Sequence, residues 1–364
     1  MMRHTLLTKN RTLMLHSVAI LMMIYHHIFI NGNMWFVNEP KSLLRLLDFM
    51  NMGLADNFQQ TFAWFCRICV SIFAFTSGYG MYVQFEKKVG KDLNIKEMYK
   101  YVFKRIISFY KKYLLMFIIF IGLELYTHAI EINQYEISEY ILSILGLSYT
   151  LNFTWWYVSQ YYLMVLLSPL IYIILNKFKL KHYLIIIFVF LIGLLGFAIS
   201  GNALVYIKFF TKNIQTQLMM FLIIFMEGMF VSHYNLMDII GNKLNSLLSV
   251  LIIIFVFIAR TNLVRAASDS LFDLVLIFPF VLALTKLFSF VKNEWLFTFL
   301  GKYSTYMWFV HAYFYAYMFF ILVIPADQSI FVYIQTVIYS LVTAILLTNL
   351  EKGIDKLLFK KSSN

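Results

Sequence analysis

Charge is what this sequence has least of. Only 13% of its 364 residues are Asp, Glu, Lys or Arg, against roughly 25% in a soluble domain, and that deficit excludes an ordinary soluble globule. Proline is scarce too, at four residues. With no low-complexity stretch beside it, no linker divides the chain, which reads as one domain over 1–364. The two cysteines, Cys66 and Cys69, stand together in CRIC. No second pair completes a four-ligand site, so they read as two thiols inside a helix rather than a metal or redox centre. No internal repeat is visible. No small-residue cleavage site follows the first apolar run, which therefore reads as a retained helix rather than a signal peptide.

What is present is apolar: 61% hydrophobic, 19% aromatic, with a mean hydropathy of +0.75. Runs long enough to cross a bilayer, about 20 residues, recur along the chain. The expected spans are 12–31, 60–83, 113–130, 154–175, 183–200, 215–232, 246–259, 271–286, 304–324 and 331–349. The fold class is thus all-α, a polytopic transmembrane bundle of about ten helices. The net charge of +12 follows topology and is no nucleic-acid footprint. With the N-terminus inside, 23 Lys and Arg fall in inside segments, 6 in outside ones, and Arg67 within a span. The positive-inside rule then predicts that both termini are cytoplasmic.

Ionisable groups at membrane depth are costly and mark function unless they pair. They are His16, His26, His27, Arg67, Glu124, His128, Glu227, Asp273 and His311. Glu124 and His128, four apart, can pair on one helix face. Glu227 and Asp273 stand near span ends, where they can snorkel. His26 and His27 end the run SVAILMMIYHHIFING, where an interfacial role is the simplest reading. Yet eleven residues at about 100° each put His16 and His27 on one stripe, about 16 Å apart, with His26 rotated away. FLGKYSTYMWFVHAYF, from Phe299 to Phe314, repeats the device: Ser304 and His311, seven apart, share a face. In CVSIFAFTSGYGMY, Ser77, Gly78 and Tyr79 interrupt an apolar helix, where glycine admits a second helix or a ligand.

Five stretches resemble the membrane-bound acyltransferase family 3. LHSVAILMMIYHH is similar to its first-helix signature, which reads Leu-Arg-x-hydrophobic-Ala, aliphatics, then His. SIFAFTSGYGMY is similar to its Phe-Phe-x-x-Ser-Gly-Tyr stretch, and YKYVFKRIISFYKKYLL to its basic cytoplasmic segment. TWWYVSQYYLMVLLSPLIY resembles its Trp-aromatic helix ending near a proline. FLGKYSTYMWFVHAYF resembles its Leu-Gly-x-x-Ser-x-x-x-Tyr/Trp-Leu-x-His. The matches keep their order from residue 15 to about 315.

The resemblance implies an integral-membrane acyltransferase that moves acetyl from acetyl-CoA, a substrate rather than a bound cofactor, to a hydroxyl of a cell-surface or lipid-linked glycan in a bacterial plasma membrane. Metal and nucleic acid have no part. The family's essential His lies eleven positions after its Arg, which maps it onto His27. His16 stands where that Arg would be. Arg105 is kept, Ser108 replaces the second Arg, and Lys111 and Lys112 occupy the proline region. The implied acyl-CoA contacts are His16, Lys104, Arg105, Lys111 and Lys112. Arg67, Ser77, Gly78, Tyr79, Trp156, Ser304 and His311 are pocket candidates. His27 acts as general base or as acyl-carrying nucleophile. The rival class is a transporter, flippase or polymerase of envelope polysaccharide, though a transporter would more often show inverted repeats and broken helices.

Overall fold

In a computed structural model of the chain, residues 6–29, 54–88, 94–126, 135–177, 215–266, 272–315 and 329–359 are described, and among them there are helices and turns but no strand. The helices are α1 (Lys9–Phe29), α2 (Leu54–Cys66), α3 (Cys69–Lys88), α4 (Ile95–Tyr126), α5 (Ile137–Ile144), α6 (Tyr157–Lys177), α7 (Gln215–His233), α8 (Leu236–Gly241), α9 (Ser246–Ala266), α10 (Asp273–Phe288), α11 (Trp295–Tyr315) and α12 (Ser329–Phe359), with a 3-10 turn at Phe153–Trp155 before α6. Five described stretches are long and apolar enough to cross a membrane: Lys9–Phe29, Thr61–Lys88, Ile95–Tyr126, Tyr157–Lys177 and Ile330–Leu357. The expected span 183–200 lies outside the described residues.

Three expectations are corrected. The run 60–83 is not one unbroken helix. Arg67 N–H donates to Trp64 O at 3.3 Å and Ile68 N–H to Phe65 O at 3.1 Å, so two tight 3-10 bonds end α2. Arg67 sits in the turn, between Cys66 closing one helix and Cys69 opening the next. Both cysteines are buried free thiols. Secondly, Arg260 is not a loop residue. α9 runs past the expected 259 to Ala266, because a buried partner compensates the arginine's charge. Thirdly, that partner is Asp273, which does not snorkel: it opens α10 fully buried. Arg260 Nε donates to Asp273 Oδ1 at 2.7 Å, Arg260 Nη2 reaches Oδ2 at 3.4 Å, and Ser71 Oγ donates to the same Oδ2 at 2.8 Å.

The chain packs as two compact units. One comprises Met1–Leu15, Val70–Ser108 and Trp156–Glu294, the other His16–Cys69, Phe109–Trp155 and Trp295–Asn364. In the first, α3 and α7 cross backbone to backbone. A Cβ on Gly78 would strike the carbonyl of Phe225, and one on Gly228 the carbonyl of Phe75. Of the two readings of Gly78, helix packing is the one realised here. In α6, Pro169 removes the N–H that would bond Val165 O. Ser168 supplies the missing donor, its hydroxyl lying 2.6 Å from that oxygen. Glu227, expected to snorkel, also carries a buried oxygen, Oε2, with no hydrogen-bond partner among the described residues.

In the second unit, α11 packs along α12. α12 turns Val332, Thr336, Ser340 and Ala344 inward and leaves Ile330, Ile334, Ile338, Val342 and Leu346 exposed. Small residues inside and an aliphatic stripe outside suit a lipid-facing helix packed on a neighbour. Tyr25 of α1 joins the elements at the other end. Its ring meets Phe62 of α2 and Tyr333 of α12 edge-on, at 5.1 and 5.5 Å.

Candidate active site

α1 ends in Tyr-His-His-Ile-Phe, so its two histidines point in directions about 100° apart. Their partners differ accordingly. His27 Nδ1 lies 2.8 Å from His311 Nε2, with the two rings nearly parallel at 13°. His311 is fully buried on α11, and its Nδ1 lies 2.6 Å from Trp308 O, one turn back on the same helix. A carbonyl only accepts, so the His311 proton is on Nδ1 and its Nε2 carries the lone pair. His27 therefore donates from Nδ1–H to His311, and its own Nε2 is left with a lone pair. The protonation order runs one way along the chain Trp308, His311, His27, and it ends on a nitrogen that carries a lone pair. The ring of Tyr315 flanks both imidazoles, at 6.1 and 5.8 Å.

His26 does something else. Its Nδ1–H donates to Ala63 O at 2.8 Å. Ala63 lies in the last turn of α2, where the 3-10 bonds already described occupy the carbonyls of Trp64 and Phe65. His26 thus caps a helix end that the tight turn leaves short of one donor.

α11 is held in register by two tryptophans that exchange bonds with the 3-10 turn. Trp155 Nε1–H donates to Phe309 O at 3.1 Å, and Trp308 Nε1–H to Thr154 O at 3.2 Å. The turn is fixed in its own right by the buried Asn152, whose Oδ1 accepts from Thr154 N–H at 3.0 Å and Thr154 Oγ1 at 2.6 Å. Tyr113 of α4 packs edge-on against Trp155 at 5.5 Å. Trp308 thereby holds His311 through its carbonyl and α11 through its indole. Neither Trp155 nor Trp308 was singled out by sequence reasoning, although both lie within quoted motifs. The visible signal was the tryptophan in each of two quoted motifs, beside Trp156 in one and three residues before His311 in the other.

The remaining candidates fall as follows. In the second unit, His16 and His27 stand on the same helix, α1. Ser304 is buried with its hydroxyl committed to Gly301 O at 2.8 Å. Lys111 lies 3.4 Å from Asp355, and Lys112 2.5 Å from Glu351. In the first unit, Arg105 Nε donates to Tyr161 OH at 2.8 Å, and Lys104 is exposed. Ser77, Gly78 and Tyr79 lie at the α3–α7 crossing, and Trp156 packs on Phe221 at 5.6 Å. His27 and His311, assigned to separate stripes by spacing, are the pair brought into contact. Glu124 is buried, but its expected partner His128 lies outside the described residues. No group of three His, Cys, Asp or Glu converges as a metal site among the described residues.

Compared with known families, residues 15–349 match the model of an acyltransferase domain. No curated protein and no solved structure matches the chain.

Proposed function

The chain belongs to acyltransferase family 3, and from that membership we propose that it moves acetyl from acetyl-CoA to a hydroxyl of a cell-surface or exported glycan. Family and apolar helices together make it a membrane acyltransferase. One observation supports a catalytic base: the hydrogen bond from His27 Nδ1 to His311 Nε2, itself oriented by Trp308 O, leaves the lone pair of His27 on Nε2.

His27 is the general base. Its Nε2 takes the proton of the acceptor hydroxyl while that oxygen attacks the thioester carbonyl. The C–O bond forms, the C–S bond breaks, and the departing CoA thiolate recovers the proton from His27. Through these steps Nδ1–H stays bonded to His311 Nε2. That contact fixes the ring plane and stabilises the imidazolium as it forms, the part an orienting partner plays for a catalytic histidine. Lys104, Arg105, Lys111 and Lys112 supply charge for the CoA phosphates, with His16 as a further donor. The donor enters as substrate, and no tightly bound cofactor is required. The excess of Lys and Arg in inside segments supports ten helices with cytoplasmic termini. Richness in Lys, Ile and Asn supports a low-GC bacterium and its plasma membrane.

The test is transfer of labelled acetyl from acetyl-CoA by the purified chain, alongside analysis of envelope glycans from cells with and without the gene. Loss of an acetyl group from one glycan, together with labelled transfer in vitro, is the expected result. Failure of the purified chain to bind or hydrolyse acetyl-CoA refutes the reading.

A further inference from the structure

Glu351 and Asp355 of α12 have no part in the reaction proposed above, yet they hold two of its lysines. Lys112 Nζ lies 2.5 Å from Glu351 Oε2, and Tyr306 OH donates to the same oxygen at 3.1 Å. The Lys112 ammonium also stands 5.1 Å from the centre of the Tyr306 ring. Beside it, Lys111 Nζ lies 3.4 Å from Asp355 Oδ1. The carboxylates are four residues apart and so share one face of α12. Leu350, Ile354 and Leu357 on the same stretch of α12 are exposed. The two pairs differ in setting. Glu351 is 17% exposed and has two donors and a ring around it, whereas Asp355 is 44% exposed and has the one lysine.

Two adjacent ammoniums matched by two carboxylates form a neutral arrangement. A phosphate ester makes the same charge-assisted contacts with lysine that a carboxylate does. Both anions therefore compete for the same cations. Resting on the reading of the chain as a CoA-dependent acyltransferase, we infer that α12 carries an internal anion at the donor's head-group site, and that the phosphates of acyl-CoA displace Glu351 and Asp355 from Lys112 and Lys111. These two lysines are charge-balanced when no donor is bound. The site opens fully to a polyanion that replaces both carboxylates, and only in part to an isolated phosphate. Pantetheine, which lacks the phosphates, has no reason to disturb the latch.

The experiment measures binding of CoA and of pantetheine to the purified full chain by calorimetry, for wild type, Glu351→Gln, Asp355→Asn and Tyr306→Phe. CoA should bind about tenfold more tightly to Glu351→Gln, where a part-buried charge is lost. The gain for Asp355→Asn should be about threefold, since its pair is exposed and screened. Tyr306→Phe keeps every charge and removes one donor from Glu351, so a gain of about twofold to fivefold is expected. Pantetheine affinity should not move. Should Glu351→Gln fail to fold, Tyr306→Phe decides the question. Wild-type binding of CoA with equal or weaker binding by the variants overturns the latch and leaves the function intact. An equal gain for pantetheine overturns it as well, because the effect would not be electrostatic. Absence of CoA binding in every protein, wild type included, overturns both readings together.

Discussion

On the proposed mechanism three histidines separate catalysis, positioning and capping, and each is a control for the others. Replacing His27 by Ala removes the base itself, and general-base loss lowers rates by about 10² to 10⁴. His311→Leu leaves the base in place but removes the acceptor 2.8 Å from His27 Nδ1. A hydrogen bond to a group that becomes charged contributes about 1.5–3 kcal/mol, so kcat should fall about tenfold to a hundredfold. His311→Gln offers an amide oxygen near the lost nitrogen and should recover part of that deficit. A role confined to packing would not show this recovery. His26→Ala should keep kcat while losing about 1 kcal/mol of stability, because Ala63 O loses its donor. The assay is acetyl transfer at saturating acetyl-CoA, with thermal unfolding in detergent for each variant. Wild-type kcat in a folded His311→Leu protein would refute the positioning argument. An active His27→Ala protein beside an inactive His26→Ala one would refute the assignment of the base.

Other outcomes follow from packing and charge. Gly78→Ala should destabilise the chain by about 1–3 kcal/mol, since the added methyl meets backbone rather than a yielding side chain; an unchanged melting temperature would contradict the α3–α7 crossing. Asp273→Ala should lower stability by about 3–5 kcal/mol, because it strips the counter-charge from the buried Arg260, whereas Ser71→Ala, removing a single hydroxyl from the same carboxylate, should cost about 1 kcal/mol; equal melting temperatures for the two variants would argue against the ion pair. A reporter fused after Asn364 should read cytoplasmic and one inserted in 32–59 external, and the reverse pattern at either site overturns the proposed orientation.

Hydropathy alone reveals α1, α6 and α7 nearly to their ends, because each is a single apolar run and membrane helices bond their own backbone. It fails at 67–68. The residues on both sides of that turn are equally apolar, and the turn is set by backbone bonds that leave no compositional trace. Arg260 and Asp273 were misjudged for a different reason. Each is polar when judged alone, and only the 2.7 Å pairing makes a buried place tolerable for both. The separation of His27 from His26 was legible in the helical stripe, and its match to the family spacing points the same way. The meeting of His27 with His311 was not. Spacing within one helix says nothing about contact between residues 284 positions apart. The same limit hid the capping of Ala63 and the exchange of bonds between Trp155 and Trp308.

That separation has a consequence for how the protein is made. Chains are synthesised at about 5–20 residues per second, so the 284 residues between His27 and His311 correspond to about 14–57 s of translation. α1 leaves the ribosome long before α11 exists to meet it. Through that interval His27 lacks its acceptor. On the proposed mechanism, a nascent or prematurely terminated chain ending before α11 lacks the partner that orients its base. The His27–His311 contact therefore forms late in biosynthesis, once α11 has been made.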